Sequence, residues 1–172
     1  MQYKGKFFLV SILMLSLCYL SSCATKTNLL TISFDVSYDI STISDDDYKP
    51  SVHVFDNKGE LIDFFGAYPY YVGKDFYNDI EQFETKFGFD HYLIAYFAQM
   101  LNVSCTINAY IDEVENDCMV IVFDYNHPKS DIYLPADSYY QGFYLIDKDS
   151  CEDQNMRITF KIEENILYIK DF

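Results

Sequence analysis

The chain carries five cysteines and three histidines, the side chains that most often supply nucleophiles, general bases and metal ligands. The histidines are His53, His91 and His127, and their spacing matches no metal-binding pattern such as His-x-x-x-His. A cysteine nucleophile needs a histidine beside it, and nothing in the order of the residues places one there. The sequence therefore predicts no metal site and no catalysis by cysteine.

Two acidic segments contain residue types that bind calcium, but neither follows the pattern of a calcium loop. In residues 147–153, Cys151 stands where the third ligand is expected and Glu152 stands where the loop requires glycine. Asp45-Asp46-Asp47 lies in a polar stretch, and for both segments a solvated loop is the favoured interpretation. The sequence has no nucleophile elbow, phosphate-binding glycine loop or dinucleotide fingerprint, so it predicts no cofactor and gives no support for an enzyme.

Tyrosine placement is the most informative remaining feature, since the chain has 17 tyrosines and no tryptophan. Several fall in predicted loops, and the candidate binding residues among them are Tyr68, Tyr70, Tyr71, Tyr139 and Tyr140. Loop tyrosines offer broad, rigid contact area with a polar tip at little entropic cost, and their rings stack on sugars. Two interpretations stay open: the rings recognise a protein or glycan partner, or they fold back over the sheet edges as part of the core.

The first residues have the composition of a secretory signal. Lys4 and Lys6 form a basic start, and residues 7–20 carry no charge. This apolar stretch is too short to cross a hydrocarbon core of about 30 Å, which needs about 20 residues. A basic start, a short apolar stretch and small residues behind it are typical of a cleavable leader.

The segment Leu20-Ser21-Ser22-Cys23 resembles the lipobox of bacterial lipoproteins, in which an aliphatic residue and two small residues precede a cysteine. The resemblance covers residues 1–23 and implies that residues 1–22 are removed and that the thiol of Cys23 carries diacylglycerol. Cys18 is a poor rival, because Leu17 precedes it where a small residue is needed. The alternative is an ordinary secretory signal. Residue 24 is not Asp, which by the general sorting pattern implies the outer membrane if the host has two membranes.

Cleavage would leave residues 23–172, a length that suits one domain. The predicted organisation is a lipidated tether over residues 23–28 and a single globular domain over residues 29–172. The formal net charge is −15, and the loss of Lys4 and Lys6 makes it more negative. Such a charge opposes binding to nucleic acid and to anionic lipid, so the lipid on Cys23 must supply the membrane attachment.

An envelope location also bears on the other cysteines, because disulfides persist in oxidising compartments. Cys118 and Cys151 both lie at predicted junctions of a loop and a strand, and we predict that they form a disulfide. Cys105 lies on the apolar face of a predicted strand, which indicates a buried thiol.

Strand patterns dominate the predicted domain. Residues 31–38 alternate, with Ile32, Phe34, Val36 and Tyr38 on one face. Residues 75–88 have the spacing of a helix, with Asp75 as its N-cap and Gly88 after its last turn. Further strands are predicted at residues 103–111, 119–124, 143–146, 156–162 and 166–170. The predicted fold class is α+β: an antiparallel sheet domain with a one- or two-helix insertion.

Two segments leave the architecture open. Residues 52–56 and 61–65 flank Asn57-Lys58-Gly59, which indicates a hairpin. Residues 90–101 fit a helix capped by Asp90, which we favour, but they also fit a strand with two apolar faces. In the second case the chain resembles an all-β sandwich of the transthyretin-like or immunoglobulin-like kind.

The sequence thus predicts a lipid-anchored envelope protein with a non-catalytic binding or structural role toward a protein or glycan. The alternative is an envelope hydrolase or glycan-modifying enzyme with an unrecognised acidic site.

The lipid anchor can be tested with a labelled fatty acid fed to cells that express the chain. The wild type and Cys18→Ser should both incorporate the label and lose residues 1–22. Cys23→Ser should carry no label and keep its leader, because the modified thiol is missing. An unlabelled wild type, or label retained by Cys23→Ser on mass spectrometry, would contradict the prediction.

Overall fold

The computed structural model describes residues 26–42, 44–67, 69–103, 106–115, 118–126, 133–150 and 157–171. These residues form eleven strands and two helices. The strands are β1 (Thr27–Asn28), β2 (Leu30–Ile32), β3 (Val36–Tyr38), β4 (Ser51–Phe55), β5 (Tyr70–Val72), β6 (Tyr92–Val103), β7 (Thr106–Glu115), β8 (Cys118–Asn126), β9 (Tyr133–Asp147), β10 (Arg157–Ile162) and β11 (Asn165–Asp171). The helices are α1 (Lys58–Phe65) and α2 (Phe76–Lys86).

The strands form two main sheets and one small one. The five-stranded sheet has the order β1-β7-β8-β10-β11, the four-stranded sheet has the order β2-β9-β6-β4, and β3 pairs with β5. Every pairing is antiparallel except that of β8 with β10. The predicted α+β class with an antiparallel sheet is confirmed, and the number of helices within the described residues is two.

The two main sheets pack against each other. Alternate residues of β6, namely Leu93, Ala95 and Phe97, lie in one apolar cluster with residues of the five-stranded sheet. Ile121 and Phe123 of β8 belong to that cluster and are completely buried. Burying a large apolar side chain stabilises a fold by roughly 1.5–3 kcal/mol, so this interface is a principal source of stability.

The helices cover the other face of the four-stranded sheet. The intervening residues of β6, namely Ile94, Tyr96 and Ala98, lie in a second cluster with Phe65 of α1 and Phe76 of α2. The molecule therefore has three layers, with the four-stranded sheet in the middle. The structure is not the all-β sandwich that was the alternative fold class, because its third layer consists of helices.

The predicted hairpin around Asn57 is wrong, since these residues begin α1 instead. The side-chain oxygen of Asn57 accepts a hydrogen bond from the Glu60 backbone N–H at 2.9 Å, as an N-cap residue does. Leu61 and Phe65 are four residues apart and both fully buried, so the apolar residues of this segment share a helical face.

The favoured helix at residues 90–101 is also wrong, because residues 92–101 belong to β6. Its residues from Leu93 to Ala98 are all buried, since β6 lies between two cores. A strand buried on both faces has a continuous apolar run, which periodicity cannot distinguish from a buried helix.

Other predictions hold with changed boundaries. The helix predicted at residues 75–88 is confirmed as α2, and Gly88 has the positive φ of 76° expected after a helix. The strand predicted at residues 31–38 is divided into β2 and β3, although Phe34 and Val36 are buried as the alternation indicated. Thr27 and Asn28, the last two residues of the predicted tether, pair with β7.

Candidate functional site

Four tyrosines pack together where β3 and β5 meet the middle sheet, and we call them the tyrosine cluster: Tyr38, Tyr70, Tyr96 and Tyr139. The rings of Tyr38 and Tyr139 are stacked, with centroids 4.1 Å apart and planes 11° apart. Tyr70 meets the edge of Tyr38 with centroids 5.5 Å apart. Such contacts add about 0.5–1.5 kcal/mol per pair beyond burial, so the rings hold each other in fixed orientations.

Hydroxyl contacts fix the base of the cluster. The Tyr139 hydroxyl lies 3.3 Å from the Tyr96 hydroxyl and 3.5 Å from the Tyr70 hydroxyl. The Tyr96 hydroxyl also lies 3.4 Å from the side-chain oxygen of Gln141, whose amide donates to the Val36 carbonyl at 2.9 Å. Burial raises the pKa of both Tyr96 and Tyr139, and neighbouring phenols contribute to the rise.

The cluster has a buried base, since Tyr96 is fully buried. More exposed groups lie beside the cluster, and we call them the rim: Tyr71, Asp39 and Asp47. Tyr71 is 55% exposed and lies on the opposite face of β5 from Tyr70. The Tyr71 hydroxyl donates to an Asp39 carboxylate oxygen at 3.0 Å, and the Tyr38 hydroxyl donates to Asp47 at 2.7 Å. The rim therefore combines aromatic faces with carboxylates.

Hydrogen bonds keep both rim carboxylates ionised. Bonds from the Ser41 hydroxyl and backbone, with a smaller one from Tyr71, hold the pKa of Asp39 below its ordinary value. Partial burial would raise the pKa of Asp47, but bonds from the Ser44 backbone, the Tyr38 hydroxyl and the Ser44 hydroxyl outweigh it and lower that pKa. These groups can accept hydrogen bonds from sugar hydroxyls or attract cationic side chains.

The structure packs two of the five candidate tyrosines together. Tyr70 and Tyr139 belong to the cluster, Tyr71 lies beside it in the rim, and Tyr68 lies outside the described residues. Tyr140 contacts the core between the two main sheets, and its hydroxyl lies 3.0 Å from that of Tyr144 and donates to the Ile107 carbonyl at 3.2 Å.

The loop predicted around Tyr139 and Tyr140 is wrong, because both belong to β9. Consecutive residues of a strand face opposite sides of a sheet, so these neighbours enter different layers. Tyr38 and Tyr96 were not among the candidates. Tyr38 closes the alternating face of residues 31–38, which is the signal that could have identified it.

A groove lies between the start of the domain and α2. Its volume is about 280 Å³, and its lining consists of Ile32, Ser33, Phe34, Asp79, Gln82, Phe83, Lys86 and Phe87. A two-carboxylate hydrolase needs acidic groups about 5–10 Å apart across a cleft. This groove has one carboxylate, Asp79, which already accepts the Asp35 backbone N–H at 3.0 Å.

The cysteine predictions fall largely outside the described part of the chain. Cys118 is half-buried at the start of β8, where it lies opposite Arg157 of β10. Cys23, Cys105 and Cys151 lie outside the described residues, so the lipidation and the disulfide stay predictions.

Neither a metal-binding group of side chains nor a membrane-spanning helix occurs among the described residues. No three or more His, Cys, Asp or Glu side chains are grouped so that they could hold a metal ion. None of the described helices has the length and apolar character that spanning a membrane requires.

Comparison with models of protein families, with curated proteins and with solved structures finds no match for this chain.

The raised pKa of Tyr38 in the tyrosine cluster leads us to expect that the protein loses stability at high pH. Burial, together with the bond to Asp47, raises the pKa of Tyr38 from 10.0 to about 12. The unfolded chain therefore releases this proton before the folded chain does. The resulting stabilisation is complete below pH 10 and is lost as the pH rises through 12.

Urea unfolding at pH 7 and across pH 10–12 will test this, with wild type and Tyr38→Phe compared. Tyr38→Phe should be less stable at pH 7 by about 1 kcal/mol, because Asp47 loses a hydrogen bond. It should then lose less stability than the wild type as the pH rises. Parallel pH profiles would contradict the prediction.

Proposed function

We propose that this chain is a lipid-anchored envelope protein that binds a protein or glycan partner through the exposed rim beside the tyrosine cluster. The observation that carries the proposal is the rim beside the stacked pair of Tyr38 and Tyr139, where the exposed Tyr71 donates to Asp39 and Tyr38 donates to Asp47. The cell-envelope location and the lipid on Cys23 come from the lipobox resemblance.

The rigidity of the cluster favours a binding role. A surface that is already ordered loses little conformational entropy when a partner binds. The ring of Tyr38 is held between Tyr70 and Tyr139, so it need not be ordered on binding. Tyrosine is enriched at recognition surfaces because its ring supplies contact area and its hydroxyl supplies a hydrogen bond.

The chemistry of the rim limits the partner to two kinds of group. Asp39 and Asp47 lie beside aromatic rings, and both carboxylates accept phenol hydroxyls. An aromatic face next to an ionised carboxylate fits a sugar ring, whose hydroxyls donate. It also fits a lysine or arginine side chain of a protein, through cation–π and ionic attraction. Nucleic acid is disfavoured, because its phosphates would meet these carboxylates.

The proposal can be tested with a photoreactive benzoylphenylalanine in place of Tyr71, in cells that make the full chain. A matched control carries the same group in place of Tyr168, which is 36% exposed on β11. The Tyr71 position should form a discrete adduct that the Tyr168 position does not form. Mass spectrometry or glycan-specific cleavage of the adduct then identifies it as protein or carbohydrate.

Binding of the identified partner should then respond to truncation of the rim. Tyr71→Ala should weaken binding by about 2 kcal/mol, or roughly 30-fold, as interface tyrosines do, whereas Tyr168→Ala should leave it unchanged. Equal adducts at the two positions, or equal binding by the two alanine variants, would contradict the proposal.

A further inference from the structure

The groove beside α2 lies at the free edge of the middle sheet. β2 is the last strand on one side of that sheet, and no strand of the described ranges pairs with its outer side. Leu30 and Thr31 of β2 are exposed, and Ile32 at its end lines the groove. The opposite wall consists of residues of α2 and its C-terminal end. The groove therefore lies between a strand edge and a helix.

The outer side of β2 carries backbone groups that another strand can pair with. In an edge strand, alternate residues direct their N–H and C=O groups away from the neighbouring strand. An extended peptide presents donors and acceptors at the same spacing, and it can join the sheet as a further strand. Sugars and lipids do not have this pattern. A polypeptide is therefore the occupant that the strand wall fits.

The helix wall supplies apolar surface for the side chains of such a strand. Phe87 follows Phe83 by four residues, and their ring centroids are 5.7 Å apart on one side of α2. Phe87 and Ile32 are only half-buried, so an incoming apolar side chain can cover them further. Pockets for whole small molecules have volumes of about 300–1,000 Å³. The groove, at about 280 Å³, is better suited to one or two side chains of a longer chain.

Two polar groups of the helix wall are not engaged by the rest of the described chain. The Gln82 side-chain amide forms no hydrogen bond there, and the Lys86 ammonium lies 4.8 Å from the centre of the Phe87 ring without a carboxylate partner. Asp79 differs, since it accepts the Asp35 backbone N–H at 3.0 Å. A side-chain amide both donates and accepts, so Gln82 can bond to a peptide group. The Lys86 ammonium can pair with a carboxylate.

We propose that the groove binds an extended peptide segment of a second protein, which adds to the middle sheet beside β2. One apolar side chain of the segment contacts Phe83 and Phe87, and one acidic side chain pairs with Lys86. A segment with several acidic residues would be repelled, because the chain has a formal net charge of −15. The groove shares no residue with the rim, so this site is independent of the proposed function of the rim.

Selection from a random peptide library displayed on phage tests the proposal, with the full chain in detergent as bait. Enriched peptides should carry one apolar and one acidic residue at a fixed spacing. Lys86→Glu should select a basic residue at the acidic position, because the charge of the helix wall is reversed. This substitution should also weaken the binding of a peptide selected on the wild type by at least about 10-fold.

The matched control is Lys161→Glu, which makes the same charge change on β10 of the five-stranded sheet, on the far side of the molecule. It should alter neither the selected sequences nor the affinity. The bound peptide should also slow amide exchange in residues 30–32, because the outward N–H groups of β2 become hydrogen-bonded. A library that enriches no peptide, equal effects of the two charge variants, or β2 amides that a selected peptide does not protect would each overturn the proposal.

Discussion

Burial of β6 on both faces is the constraint on which the rest of the structure depends. Leu93, Ala95 and Phe97 pack toward the five-stranded sheet, and Ile94, Tyr96 and Ala98 pack toward the helices. One strand therefore belongs to both cores, and its backbone groups are paired on either side with β4 and β9. Since an interior is packed to nearly crystalline density, a change on one face of β6 is expected to affect both layers. The tyrosine cluster is rigid for the same reason, because its buried base, Tyr96, is a residue of β6.

Alternation along β9 places its neighbouring tyrosines in different layers of the molecule. Tyr139 enters the cluster, whereas Tyr140 enters the core between the sheets beside Tyr144. The interpretation of the rings as part of the core therefore holds for Tyr140, whereas recognition of a partner stays a proposal for the rim. The exposed rim depends on the buried rings: Tyr38 is stacked on Tyr139, whose hydroxyl lies beside that of Tyr96. A rim supported in this way can stay ordered without a bound partner, which is the property that a recognition surface needs.

Local sequence patterns correctly predicted the helices and strands that neighbouring residues in the chain determine. The spacing of Phe76, Ile80 and Phe83, followed by Gly88, was sufficient to predict α2. The errors arose where tertiary context decided the outcome. Asn57 is equally suited to a turn and to an N-cap, and the burial of Leu61 and Phe65 selects the helix. Residues 90–101 are apolar on every side, so only the presence of two cores distinguishes a strand from a helix there. The convergence of Tyr38, Tyr70 and Tyr139 depends on strand pairing across about a hundred residues, which a single sequence does not reveal.

The claim that β6 joins the two cores is tested most directly by native-state hydrogen exchange, resolved by residue and followed with increasing denaturant. We expect the amides from Leu93 to Ala98 to share the highest opening free energy of the described residues, equal to that of global unfolding. As the denaturant concentration rises, the opening free energies of the α1 and β8 amides should become equal to those of the β6 amides before the unfolding midpoint. The reason is that neither layer persists without β6. Exchange of the β6 amides through an opening of lower free energy, while either neighbouring layer stays protected, would contradict the account.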